Sequence, residues 1–375
     1  MVKVVLVIPT LDRSGAEKQF TLLATGLPRE EFDIHAVALT RSGPYAEPLQ
    51  AAGIPLTILN KRLRFDPIAL WKLRTLVRRL NPDVLHSWLF AANAACRLIA
   101  GRQPRPQVVV SERCVDSWKS GWQLRLDRRQ IRRTTRLVAN SPGVADFYRN
   151  LGVPNDKLTV IPNGIEIPAE PVTGREAVLE ELDIPPGTRI VGYVGRLARQ
   201  KRVRDLVWAM QLLKQLNERV CLLIIGDGPE RRRLEDLARH LNCDHLIRFT
   251  GHREDAGRLI RLMNVFWLAS DFEGMSNSVM EAMAAGVPVI ASDIPPNREL
   301  VRDGETGYLV EVKDAVGFAQ FTDRILADDT LASRLGTAGQ QRMRQHFSVA
   351  GMVEAYAQLY RNLVGSLVTT RQVND

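Results

Sequence analysis

The sequence predicts an α/β protein built of two doubly wound domains, and three observations carry that expectation. Short apolar runs of Val, Ile and Leu alternate with longer amphipathic segments along the 375 residues. That is the pattern of parallel strands buried on both faces and joined by helical crossovers. The alternation is interrupted at 166–187, a Pro- and Glu-rich linker with one short helix, and then restarts. The length suits two domains of ordinary size.

Composition narrows the class further. The chain is 45% hydrophobic and 25% charged, as globular proteins are. No apolar stretch approaches the roughly 18 residues of a membrane span. Residues 1–8 read as a first strand rather than a leader. Cys96, Cys114, Cys221 and Cys243 are scattered, without CxxC or zinc spacing. They read as reduced packing residues of a cytoplasmic protein. Charge is uneven: residues 1–165 hold 25 Lys and Arg against 13 Asp and Glu, the remainder 26 against 29. The N-terminal half is therefore expected to face something anionic, a membrane surface or phosphorylated acceptor before nucleic acid.

In the first domain, 4–9 reads as a buried strand, followed by a turn at Asp12–Glu17 that opens a helix to about Gly26. On its own the turn can be read as an ordinary strand-to-helix connection, with Gly15 there for its φ freedom. The turn is not the GxGxxG fingerprint, which argues against an NAD enzyme. Strands follow at 34–39 and 56–59, then a basic helix at 67–80. The next strand ends in His86-Ser87-Trp88, and 108–111 ends in Glu112-Arg113. Ligands of open α/β sheets bind outside the carboxyl ends of strands. His86, Glu112 and Arg113 are accordingly expected to face a cleft, although a lone strand-end His is more often a structural, hydrogen-bonded residue. A helix at 123–136 aligns Arg125, Arg128, Arg129, Arg132 and Arg136 in one stripe. With so few acids between them, an anionic surface is favoured over a solvated face. Strands at 137–141 and 157–161 complete the half, which ends in Pro162-Asn163-Gly164-Ile165.

In the second domain, the strand 189–194 runs into Gly195-Arg196 and, five residues after the arginine, Lys201. A glycine allows backbone approach and the two cations neutralise charge, which suits a diphosphate. Strands at 220–225 and 247–253 end in Gly226-Asp227-Gly228 and in Gly251-His252-Arg253. A strand at 265–269 then meets a small-residue loop, 270–277, and a helix expected to open at Ser278 and stop at Gly286-Val287-Pro288. Glu273 and Glu281 flank Gly274, Met275, Ser276, Asn277 and Ser278. A helix N-terminus there is a ready anion site, with carboxylates at hand for hydroxyls. Ser278 and Glu281 also fit a capping box, which would make Glu281 merely structural. Residues 303–310 read as a hairpin-like turn and 348–363 as an amphipathic helix.

Glu273, seven residues, Glu281 and then Ala282-Met283-Ala284-Ala285-Gly286-Val287-Pro288-Val289-Ile290-Ala291-Ser292 together resemble the signature of the family 4 retaining glycosyltransferases of the GT-B fold. Gly15-Ala16-Glu17 resembles that family's Gly-Gly-Ala-Glu loop, with Ser14 replacing the first glycine. The tracts 162–165, 226–230 and 303–310 also resemble family motifs. One departure stands out. Many members carry a donor-contacting histidine where this chain has Ser111-Glu112-Arg113-Cys114.

The resemblance implies two Rossmann-like domains facing across a cleft: 1–166 on the acceptor side, joined by a returning helix at 348–375, and 167–347 on the donor side. It implies transfer from a nucleotide-sugar to a glycan or lipid-linked acceptor with retained configuration, in surface polysaccharide or glycolipid assembly. Arg196 and Lys201 would stabilise the leaving diphosphate, Glu273 would orient the sugar and Glu281 would hold the ribose. Gly15, Gly195, Gly274, Met275, Ser276, Asn277, Ser278, His252, Arg253, His86 and Arg113 would complete the binding set. No metal and no cofactor are expected, since cations do that work and no Asp-x-Asp ends a strand. The expected partners are donor, acceptor and an anionic membrane surface on the cytoplasmic side, not nucleic acid. A nucleotide-sugar epimerase and a non-enzymatic basic binding protein are the rival readings.

Overall fold

The computed structural model describes residues 1–100, 106–115, 119–168, 175–217 and 219–372; the middle of the expected linker, 169–174, lies outside them. The chain divides into two compact units. One is Met1–Gly164 with the helix Val349–Gln372, and the other is Ile165–Ser348.

The first unit holds seven strands: β1 (Val2–Thr10), β2 (Phe32–Arg41), β3 (Leu56–Ile58), β4 (Val84–Trp88), β5 (Gln107–Glu112), β6 (Arg136–Ala139) and β7 (Leu158–Val160). They form one sheet in the order β3-β2-β1-β4-β5-β6-β7, every pair parallel. Helices cover both faces, so Val4 to Ile8 of β1 are all buried, as a parallel sheet requires. The helix Val349–Gln372 packs on β1 and on the helix Gly15–Gly26. Its Tyr356 and Tyr360 lie fully inside.

The second unit holds β8 (Arg189–Val194), β9 (Val220–Ile225), β10 (Ile247–Gly251), β11 (Val265–Leu268), β12 (Val289–Ser292) and β13 (Gly307–Val310). Their order is β10-β9-β8-β11-β12-β13, again parallel throughout. In both sheets the first strand in sequence lies inside, and the order reverses there. That reversal defines a doubly wound sheet and places ligand sites at its carboxyl edge.

Two expectations are corrected. The segment 303–310 is not a hairpin: after a turn that Thr306 closes by accepting the Arg302 N–H at 2.9 Å, the chain adds β13 parallel to β12. The arginine stripe is not one helix either. The helix is Gly121–Gln130, a 3-10 turn spans Ile131–Arg133, and Arg136 already opens β6. The β-branched Thr134 and Thr135 sit where the backbone turns to pair with β5, and the Thr135 N–H donates to the Val108 carbonyl at 2.8 Å. The Arg136 guanidinium is held by the Asp156 carbonyl.

Candidate functional site

Four adjacent strands of the second unit, β10, β9, β8 and β11, send their carboxyl ends to one edge, and their loops are bonded to one another. The Gly195 N–H donates to the Ile225 carbonyl (3.0 Å), Leu197 N–H to Asp227 (3.0 Å) and Gly226 N–H to Gly251 (2.7 Å). Glycine is needed here for close approach. A Cβ on Gly226, whose φ is +133°, would lie 2.1 Å from the Gly195 carbonyl oxygen, and one on Gly228 2.4 Å from that of Leu197.

The loop after β8 is also tied to the loop after β11. The Gln200 amide donates to the Phe272 carbonyl at 2.7 Å, the Asp271 N–H donates to the Gln200 carbonyl at 2.9 Å, and Arg202 bonds Asp271 at 3.2 Å. These ties bring Lys201 to Glu273, with Nζ 2.5 Å from Oε1. Ser270 Oγ donates to the same carboxylate oxygen at 2.6 Å. Glu273 is buried, so its orientation is set by these two donors. Tyr193 stands under the loop. Its hydroxyl donates to the Arg196 carbonyl at 3.1 Å, and burial together with the nearby Glu273 charge pushes its pKa well above the ordinary phenol value. Arg196 is exposed, and its guanidinium makes no hydrogen bond or ion pair among the described residues. Its guanidinium is therefore available to a ligand.

The helix after β11 is Asn277–Ala284 with Ser276 as N-cap, its Oγ accepting from Val279 N at 3.4 Å. This removes the capping-box reading: Ser278 is inside the helix, and Glu281 is too far along it to bond back to the cap. Gly274, Met275 and Ser276, within the loop, are buried, whereas Asn277, Ser278 and Glu281 are half-exposed at the helix start. First-turn N–H groups lie outside the helix's own ladder and carry the positive end of its dipole.

The remaining expected residues separate. His252 is exposed beyond β10. Arg253 instead forms a fork on Asp255 (2.8 and 2.9 Å) and an ion pair with Glu181 at 2.5 Å. Gly15 opens the first helix of the other unit, where Glu17 accepts hydrogen bonds from Thr10 and Ser14.

His86 is not at a ligand-facing strand end. It is fully buried, with Nδ1 2.6 Å from the Tyr360 hydroxyl and Nε2 2.8 Å from Ser111 Oγ. Arg113 is likewise enclosed, over the Trp88 ring at 4.5 Å and bonded to Asn163 and to the Tyr356 hydroxyl. The helix Val349–Gln372 closes over both residues, which is why neither stays open to a ligand. Ser270, Gln200 and Tyr193 were missed in the sequence because single polar residues at strand ends carry no periodic signal.

Burial and the Arg113 charge push the His86 pKa well below its ordinary value of 6.5. A histidine held neutral in the fold stabilises above its unfolded pKa and loses that contribution as pH falls, because the unfolded chain then binds the extra proton. Stability should fall below about pH 6.5, by at most about 1.4 kcal/mol per pH unit for one proton. Urea midpoints at pH 7.5 and 5.5 measure this, and His86→Asn should flatten part of the slope.

Among known proteins, residues 174–342 match the family described as glycosyl transferases group 1, and residues 13–167 match Glycosyltransferase Family 4. The chain is 30% identical over 349 residues to the lipopolysaccharide core biosynthesis glycosyltransferase LpsE of Rhizobium meliloti, covering 92% of this chain and 95% of that one. It is 25% identical over 361 residues to the UDP-Gal:alpha-D-GlcNAc-diphosphoundecaprenol alpha-1,3-galactosyltransferase of Escherichia coli, covering 90% and 91%. Its fold matches that of Anabaena Alr3699/HepE, solved in complex with UDP-glucose, with a TM-score of 0.86 at 19% identity over 96% of this chain and 100% of that one. The protein therefore belongs to family 4 of the glycosyltransferases, with the two Rossmann-like domains of the GT-B fold.

Proposed function

We propose that this glycosyltransferase moves a sugar from a nucleoside-diphosphate donor to a hydroxyl of a glycan or lipid-linked acceptor, with retained configuration and without a metal ion. The observation that carries the reading is the Lys201–Glu273 pair, at 2.5 Å, between the loops after β8 and β11, with exposed Arg196 on the same loop as Lys201. As the glycosidic bond lengthens, charge grows on the departing phosphate oxygens. Arg196, Lys201 and the N–H groups at the start of the helix Asn277–Ala284 stabilise that charge, as a divalent ion would elsewhere. Glu273 accepts from sugar hydroxyls and Glu281 from the ribose. The acceptor proton passes to the leaving phosphate, so no side-chain base is assigned.

By their names, the Escherichia coli relative uses UDP-Gal and a diphosphoundecaprenol-linked acceptor, and LpsE serves lipopolysaccharide core assembly. These support a lipid-linked or surface-glycan acceptor. UDP-sugars are the first donors to test, ahead of GDP- and ADP-sugars, by thermal stabilisation. Transfer from the donor that binds should give a product of unchanged anomeric configuration by NMR, at the same rate in EDTA. Loss of activity in EDTA with rescue by Mg²⁺ would overturn the metal-free mechanism. An altered donor sugar without acceptor would make the protein an epimerase.

A further inference from the structure

The first unit carries a cluster of large apolar side chains that the fold leaves in water. Leu63, Phe65, Ile68 and Trp71 are between 64% and 72% exposed, and Trp122 is 39% exposed. They come from the loop before the helix Pro67–Leu80, from its first two turns, and from the start of the helix Gly121–Gln130. The two places meet: the Phe65 and Trp122 rings lie 6.3 Å apart, and Trp122 rests against Phe90 at 6.0 Å. Ile68 and Trp71 are three residues apart and so share a helix face. Scattered exposed apolar residues are ordinary, but five large ones gathered on one loop and two helix starts, two of them in ring contact, mark an interaction surface.

The charges around the cluster have one sign. Lys61, Arg62, Arg64, Lys72, Arg74, Arg78 and Arg79 accompany it between residues 61 and 80, against Asp66 alone. Asp66 is the N-cap of its helix, and its carboxylate accepts from the Arg62 and Ala69 N–H groups at 2.9 and 3.0 Å. Beside Trp122, Arg125, Arg128 and Arg129 are exposed. The one acid of that helix, Asp127, is buried between Arg97 and Lys119. The Arg64 guanidinium stacks 4.8 Å from the Trp122 ring centroid. The exposed apolar side chains are thus accompanied by exposed cations on the same segments.

We propose that this surface inserts into an anionic lipid bilayer, with Leu63, Phe65, Ile68, Trp71 and Trp122 entering the headgroup region and the surrounding Lys and Arg pairing with lipid phosphates. Charge alone would adsorb a protein reversibly and release it in salt, because exposed charges are screened within a Debye length. Apolar insertion adds a component that salt does not remove. Tryptophan favours that interface because its ring is apolar and its N–H is polar. The proposal is independent of the transfer reaction, since it needs neither donor nor acceptor.

The test uses the full chain with vesicles of phosphatidylglycerol and phosphatidylethanolamine, against vesicles of phosphatidylcholine. The protein should sediment with the anionic vesicles, and a fraction should stay bound at about 0.5 M salt, where the Debye length is only a few ångströms. The variant Phe65→Ser/Ile68→Ser/Trp71→Ser should bind at least about tenfold more weakly. Trp208→Ser, an exposed site on the other unit, should bind as the parent does. Brominated lipid should quench the parent more than the Trp71→Phe variant, which keeps the apolar surface but removes that reporter. Equal binding of the triple variant, complete release by salt without bromine quenching, or no binding to either vesicle would overturn the insertion. A solution dimer that the triple variant abolishes, with no vesicle binding, would assign the surface to a second copy instead.

Discussion

Replacing Lys201 by Met should lower turnover at saturating donor by roughly 100-fold or more, as loss of a donor aimed at developing charge does. Lys201 also neutralises the buried Glu273, so the same loss could follow from stranding a carboxylate. A second substitution separates the two causes. Glu273→Gln removes the charge that needs a counterion while keeping an oxygen that can accept from Ser270. If Lys201 served only as that counterion, the double variant Lys201→Met/Glu273→Gln would recover much of the activity that Lys201→Met loses. If Lys201 stabilises the leaving phosphate, the double variant is no better than the single. Residues in direct contact give non-additive effects, which is what this cycle reads. Recovery in the double variant, or near-normal turnover in Lys201→Met, would remove Lys201 from the chemistry.

Asp127→Ala should cost about 3–5 kcal/mol of stability, the range for breaking a buried ion pair by removing one partner. Asp127 accepts from Arg97 at 2.8 Å and from Lys119 at 2.9 Å, and all three are buried. Glu112 stands 3.7 Å from Lys119, so among the described residues the cluster holds two cations and two carboxylates. Deleting Asp127 removes the carboxylate that both buried cations bond. The cluster ties the helix Gly121–Gln130 to the helix Leu89–Ile99 and to the end of β5, and so holds Trp122 in place. Urea unfolding measures the loss. Arg129→Gln, exposed on the same helix, should change stability by no more than about 0.5 kcal/mol. A cost below about 1 kcal/mol for Asp127→Ala would mean that water reaches the cluster and solvates its charges.

Asp127 also shows what a stripe of arginines hides. In the sequence it is one acid among many bases. In the fold it is withdrawn from the surface, which leaves that surface more basic than a residue count implies. Leu63, Phe65, Ile68 and Trp71 were unremarkable for the opposite reason. The segment 67–80 reads from its charges as a basic helix, but only Ala69, Leu73, Leu76 and Val77 turn inward, and Ile68 and Trp71 meet solvent.

The sequence by itself determined the two α/β units, the strands that build them except β13, and the carboxyl edge at which ligands are expected. Those properties follow from apolar runs and glycine turns a few residues long, and each run carries its own signal. It also brought out Glu273, Glu281, Arg196 and Lys201, which stand in or just after loops that follow predicted strands and match the family's motifs. Only the tertiary structure decided which polar strand-end residues stay open. His86 and Arg196 look alike as residues following apolar runs. Yet His86 is sealed by Tyr360, 274 residues away in the chain, while Arg196 remains exposed. A hydrogen bond between such distant positions leaves no periodicity to read, because either side chain alone is compatible with burial or exposure, and only packing brings the partner that makes burial affordable.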